Sequence, residues 1–173
     1  MTPIIQGLNA RALTDLVTLH FTVQGLTNGH GWWPEDVEGE VARYHHAAVT
    51  MYEPARAILG CPMDEISGAR TKPGRKSSMH FPPVLRADPK YAYLDRPPAD
   101  RAGALDFRPR SVLCDRAFWM LDAAQRDGRL PKGGLFWYAP NKTDPRVGGR
   151  FLHIDNRGVI ARESGLTPKT GRV

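Results

Sequence analysis

Proline limits what this chain can build. Fifteen of its 173 residues are proline and seventeen are glycine, so short regular elements must alternate with much irregular chain. The densest block, FPPVLRADPKYAYLDRPPADRAG at 81–103, holds five prolines and no sustained apolar period. Connections of that length are usually functional or mobile. Between such breaks, only segments with a clear period can be read as helix or strand.

The length fits one domain with a real core, and 41% apolar with 24% charged residues is ordinary for a globular protein. Lys and Arg exceed Asp and Glu by 24 − 18 = 6, a balance that favours polyanions: nucleic acid, an anionic membrane surface or a bacterial cell wall. The basic residues are scattered, with no arginine-rich arm and no aromatic–basic ladder, so nucleic acid is not an expected partner. No apolar run could span a bilayer, and the first thirty residues have no apolar core of a signal peptide or cleavage site. A secretion signal is therefore not expected. Cys61 and Cys114 are too few and too far apart for a disulfide framework or a cysteine zinc site, and read as buried free thiols.

Residues 8–23 have apolar positions compatible with a short helix. Pro34 then stands where a helix tolerates proline best, at its opening, with Glu35, Asp36 and Glu38 in the first turn. Val37, Val41, Tyr44, Ala48, Met51, Ala55 and Ile58 recur every three or four residues and form a core-facing stripe. Gly60 is a natural C-cap, and Pro54 predicts a kink or restart near Met51–Glu53. ALDFRP reads as a short strand, SVLCDRAFWMLDAAQRDGRL as an amphipathic helix, and GGLFWYAP and GRFLHIDNRGVIAR as two strands joined by the polar NKTDPRVG. The polar tail 163–173 is expected to be poorly ordered.

In a strand, residues two apart share a face. His153 and Asp155 should therefore emerge side by side, with Leu152 and Ile154 packed on the other face. Such a pair is either structural or half of a metal site. Asp106, taken singly, caps the next helix, pairs with an arginine such as Arg108, or binds a metal. His20, His45 and His46 lie on helical stretches where packing is the default, and His30 sits in a glycine-rich loop.

Several motifs, in order, resemble the zinc D-Ala-D-Ala carboxypeptidase and peptidoglycan endopeptidase family. YEPARAILGCPMDEISGAR is similar to that family's helix ending in Leu-Gly, followed by a strand ending in Ser-Gly-x-Arg, here Ser67 to Arg70. Ser78-Met79-His80 matches the start of the family's zinc signature, and Ala102 to Asp106 matches its second part. GGLFWYAP and GRFLHID resemble the closing hairpin of a subgroup ending in Val-His-Val-Asp. The resemblance runs from about Glu40 to Arg162.

It implies an α+β fold in which a small antiparallel sheet, flanked by helices, carries a zinc site. The implied ligands are His80, Asp106 and His153, a set of two imidazoles and one carboxylate that leaves a fourth position open, as catalytic zinc requires. Zinc would acidify water and polarise a peptide carbonyl. Arg70 would hold a substrate carbonyl or carboxylate, with Ser78 beside it. The implied substrates are peptide stems of peptidoglycan, cleaved by a phage lysin passing a holin-made lesion or by a component of a phage particle.

Three departures stand out. The family spaces its first His and its Asp by seven, whereas His80 and Asp106 are 26 apart; residues 81–101 must form an excursion that leaves and returns beside the metal. Loop closure makes that inexpensive when the ends are close. Ala102 replaces a usual glycine. Arg150 stands where many relatives carry a catalytic Glu, which leaves Asp155 as the expected general base. The alternatives for Asp155 are fixing the second nitrogen of a ligand histidine or pairing with an arginine such as Arg157 or Arg150. The departures also leave room for a non-catalytic virion or wall-binding module on the same fold.

Overall fold

The computed structural model describes residues 16–26, 44–68, 80, 103–138 and 151–164. Five strands form one sheet: β1 Met63–Ser67, β2 Ala104–Pro109, β3 Gly134–Tyr138, β4 Phe151–Asp155 and β5 Ala161–Ser164, in the spatial order β1-β2-β4-β3-β5. The described helices are α1 Val23–Leu26, α2 Glu53–Leu59 and α3 Cys114–Arg126. The class is α+β.

Strand alternation separates two faces. Leu105 and Phe107 of β2, Leu135 and Trp137 of β3, and Leu152 and Ile154 of β4 are buried in a core shared with Ala55 and Leu59 of α2 and Ala117, Phe118, Leu121 and Ala124 of α3. The in-between residues Asp106, Phe136, His153 and Asp155 necessarily point to the other face. Cross-strand pairing places Asp106 opposite His153 on one side and Phe136 opposite His153 on the other. The centre of the sheet thus presents its polar side chains in one row.

The apolar stripe is realised as expected where it is described: Tyr44, Ala48, Met51 and Ala55 are all buried. Residues 44–47 are helical, and the break announced by Pro54 is a π-helical turn over Ala48–Tyr52. Glu53 N–H donates to the Ala48 carbonyl, five residues back. Proline at position 54 has no N–H to continue the ordinary ladder, and one widened turn absorbs the mismatch without ending the helix. Gly60 closes α2 at φ 64°, donating to the carbonyls of Arg56 and Ala57. Cys61 and Cys114 are buried, and neither is in a disulfide.

Four expectations are corrected. Within the stretch read as a helix at 8–23, residues 16–22 form a tight turn with a Leu16–Thr22 bridge, and only Val23–Leu26 is helical; residues 8–15 lie outside the described ones. Tertiary bonds override the weak local period: the Glu53 carboxylate accepts from the Thr18 hydroxyl (2.7 Å) and the His20 N–H (2.9 Å). The sheet is mixed, because β5 runs parallel to β3. GRFLHIDNRGVIAR is accordingly not one strand. It turns through residues 156–160, with Gly158 at φ 81°, and returns as β5 on the far side of β3. Glu163 and Ser164, expected in the tail, pair with Phe136 and Trp137.

Residues 27–43, 69–79, 81–102, 139–150 and 165–173 lie outside the described ones, and with them Arg70, Ser78, the 81–101 excursion and the rest of the tail. No helix among the described residues is long and apolar enough to cross a membrane.

Candidate metal centre

His153 stands in the middle of β4, the strand flanked by β2 and β3, so its ring direction is set by neighbours on both sides. Asp106, its direct cross-strand partner, places Oδ1 2.8 Å from His153 Nδ1. His80 completes the group: its Nε2 lies 3.2 Å from His153 Nδ1 and 3.3 Å from Asp106 Oδ1. His80, Asp106 and His153 are 3%, 5% and 7% exposed. They are the one group of potential metal ligands found among the described residues. The 26-residue separation of His80 and Asp106 therefore does not keep them apart. Just before β2, Gly103 and Asn156 bond each other through Gly103 N–H to Asn156 Oδ1 (3.0 Å) and Asn156 N–H to the Gly103 carbonyl (3.3 Å).

The donor set fits a small cation. A tetrahedral ion with bonds of about 2.0–2.2 Å needs ligand atoms about 3.3–3.6 Å apart; two of the three separations already lie within about 0.1 Å of that range, and the third must open by about half an ångström. The outer nitrogens of both imidazoles are anchored as well. His80 Nδ1 donates to the Gly68 carbonyl at 2.7 Å, and His153 Nε2 donates to Asp155 Oδ2 at 3.0 Å. Each anchor fixes a tautomer and turns the other nitrogen's lone pair to the centre, the arrangement typical of metal-binding histidines. Tyr44 adds a hydroxyl bond to the His80 carbonyl (3.4 Å).

The electrostatics follow from this packing. Burial pushes the Asp106 carboxyl up, but hydrogen bonds from His153 and His80 outweigh it and hold the group well below the ordinary carboxylate range. Asp155 behaves alike: burial raises it, while His153 and Arg157 together bring it well below that range. Burial lowers His153, yet its bonds to Asp106 and Asp155 prevail and raise it. Between two carboxylates, the metal-free His153 is drawn towards the imidazolium form. Its Nδ1–H then points where a cation would sit, between Asp106 Oδ1 and the His80 Nε2 lone pair.

Asp155 does not stand where a general base for water at the centre would. Its carboxylate meets His153 at Nε2, while Nδ1 faces Asp106 and His80. It is fully buried and otherwise engaged: Oδ1 accepts from Gly134 N–H (3.0 Å) and Arg157 N–H (3.1 Å), and the Arg157 guanidinium bonds both oxygens. Same-face geometry is correct for the pair; the expected base role is not what this placement serves.

Sequence reasoning did not assign Gly68, Gly134 or Phe136. A Cβ on Gly68 would lie 2.1 Å from the Leu26 carbonyl oxygen, and one on Gly134 would lie 2.3 Å from Asp155 Oδ2. Both positions need the missing side chain for close approach. The Phe136 and His153 rings make a T-shaped contact, centroids 5.2 Å apart, whose only sequence signal was that both residues lie in segments read as strands. No family model, curated protein or solved structure matches this chain.

Proposed function

We propose that the protein is a zinc-dependent hydrolase whose substrates are the peptide stems of bacterial peptidoglycan. The observation that carries this reading is the convergence of His80 Nε2, Asp106 Oδ1 and His153 Nδ1, with both outer nitrogens anchored, from segments 26 and 47 residues apart. An arrangement that brings two imidazoles and a carboxylate together beneath separate supports is unusual for mere packing, where buried polar groups need one partner each. When bound, zinc would supply Lewis acidity and an acidified water.

The chain's own residues divide the remaining work. Gly68 and Asp155 fix the protons of His80 and His153 on the outer nitrogens. Asp106 contributes the negative charge that partly neutralises the ion. Arg70 and Ser78, by resemblance, would face the substrate. The net charge of +6 suits an anionic wall polymer, and a lysin or a phage-particle component is the setting we infer for such an activity.

A second reading is favoured by two specific observations. The ligands are all deeply buried, and Arg150 occupies the position where the resemblance expects a catalytic Glu. A wall-binding or virion module that uses the ion structurally would have the same features. Metal analysis of the purified protein, followed by turbidity and released-fragment assays on purified cell walls with and without chelator, separates the readings. Stoichiometric zinc with chelator-sensitive release of peptide-stem ends supports the hydrolase. Zinc without release supports a module that uses the ion structurally, and absence of zinc binding removes the hydrolase and leaves a module without the ion.

A further inference from the structure

Arg157 meets two different neighbours of His153 at once. Its Nε lies 2.8 Å from Asp155 Oδ1 and 3.0 Å from Oδ2, and its Nη2 lies 2.5 Å from Oδ2. The same guanidinium carbon sits 5.3 Å from the centre of the Phe136 ring, over its face. Asp155 holds His153 Nε2, and the Phe136 ring packs against the His153 ring in a T-shaped contact. Two independent contacts thus run from one cation to one imidazole: a carboxylate that fixes its tautomer and an aromatic ring that fixes its tilt.

We propose that Arg157 is a positioning residue for the metal centre, acting on His153 through Asp155 and Phe136 and raising the affinity for zinc; this role rests on the metal-centre reading above. The physical case is that without the guanidinium only backbone N–H groups of Gly134 and Arg157 hold Oδ1, and Oδ2, the oxygen that meets His153, has no other partner among the described residues to fix it. A planar guanidinium bonded to both oxygens supplies that hold. As a unit, Arg157 and Asp155 carry no net charge, so the cation does not repel the metal as an isolated one would. Its cation–π contact with the Phe136 face sets a second constraint, which the flexible ammonium of a lysine would hold less rigidly.

The geometry of the chain explains why the residue falls here. The turn at 156–160 carries the chain from the end of β4 across the start of β3 to β5. There Gly133 and Gly134 leave room for it: a Cβ on Gly133 would lie 1.9 Å from the Asp155 carbonyl oxygen, and one on Gly134 would lie 2.9 Å from Arg157 Nε.

The test is a chelator-competition titration of zinc on the full chain, comparing the unsubstituted protein with Arg157→Met and Arg157→Lys. It is read beside nitrogen-labelled histidine NMR of the zinc-loaded forms. The expected result is a loss of about 10- to 100-fold in zinc affinity for Arg157→Met, with Arg157→Lys recovering only part of it. The His153 Nε2–H resonance should exchange slowly in the unsubstituted protein and rapidly in Arg157→Met. A purely structural role would lower the unfolding temperature without moving that resonance. Should Arg157→Met not fold, Arg157→Lys carries the same comparison. Equal affinity and an unchanged resonance in the folded variants overturn the role of Arg157 alone. Absence of zinc binding by the unsubstituted protein overturns the metal centre, and this role with it.

Discussion

His80 Nδ1 lies 2.7 Å from the carbonyl oxygen of Gly68, a backbone group at the end of β1, twelve residues earlier in the chain. That single bond assigns the imidazole's proton and directs Nε2 towards Asp106 and His153. It also ties His80 to the packing of the N-terminal turn, since Gly68 lies directly against the Leu26 backbone.

Gly68→Ala should therefore damage fold and site together. The new Cβ would meet main-chain atoms that cannot step aside like a flexible side chain. A stability loss of about 1–3 kcal/mol is expected, and weakened zinc binding should accompany it. Thermal unfolding and zinc titration of the variant check both halves.

Removal of a ligand should have a larger effect on the metal than on the fold. His153→Gln and His80→Gln are each expected to lose more zinc affinity than the about 10- to 100-fold typical of losing an outer partner. His153 gives the sharper test because it contacts both carboxylates. Equilibrium dialysis with zinc measures the difference.

Asp155→Asn separates anchoring from base catalysis. An anchor's loss should weaken zinc binding by about 10- to 100-fold, with cell-wall activity recovering in excess zinc. A lost base would leave zinc bound and lower the rate irrecoverably, by about a hundredfold or more. The placement of Asp155 at His153 Nε2 predicts the first outcome. The variant should also be less stable, by about 3–5 kcal/mol, because the partly buried Arg157 loses its ion pair.

Acidity should act on the metal-free and zinc-loaded forms in opposite ways. His153 is raised above its ordinary 6.5, so its contribution to metal-free stability is complete below pH 6.5 and fades as pH rises through the folded value. Asp106 and Asp155 are lowered from 3.8, and their contribution, present above that pH, is lost only in stronger acid. The metal-free protein should be most stable between about pH 4 and 6.5. Zinc must displace the His153 proton, so its stabilising effect should grow from about pH 5 to 8. Unfolding temperatures across that range, with zinc and with chelator, test the opposition.

Where one period dominates, the sequence was a reliable guide. α3, β2 and the β3–β4 hairpin follow from their apolar spacing, and the Pro54 break and the Gly60 cap follow from backbone chemistry alone. The site was legible as an order of motifs, because His153 and Asp106 sit on strands whose register fixes their shared face. What escaped were features decided by distant atoms. The turn at 16–22 is held by Glu53, more than thirty residues away. β5 is parallel because residues 156–160 cross over β3, and no local pattern marks a crossing. The anchoring place of Asp155 depends on which nitrogen of His153 it meets, and alternation along a strand gives only the face.

The crossing at 156–160 also imposes an order in time. During synthesis, His80 and Asp106 emerge well before β4, and neither has a third ligand until residue 153 appears. The anchor at Asp155 and the guanidinium at Arg157 arrive with the very next residues, and β5 can be laid against β3 only after them. A nascent chain that has not reached this turn offers a passing ion two donors at most. Capture of an ion by the three residues would thereby be deferred until nearly all of the described sheet has been made, and a product terminated before residue 153 would lack the complete donor set.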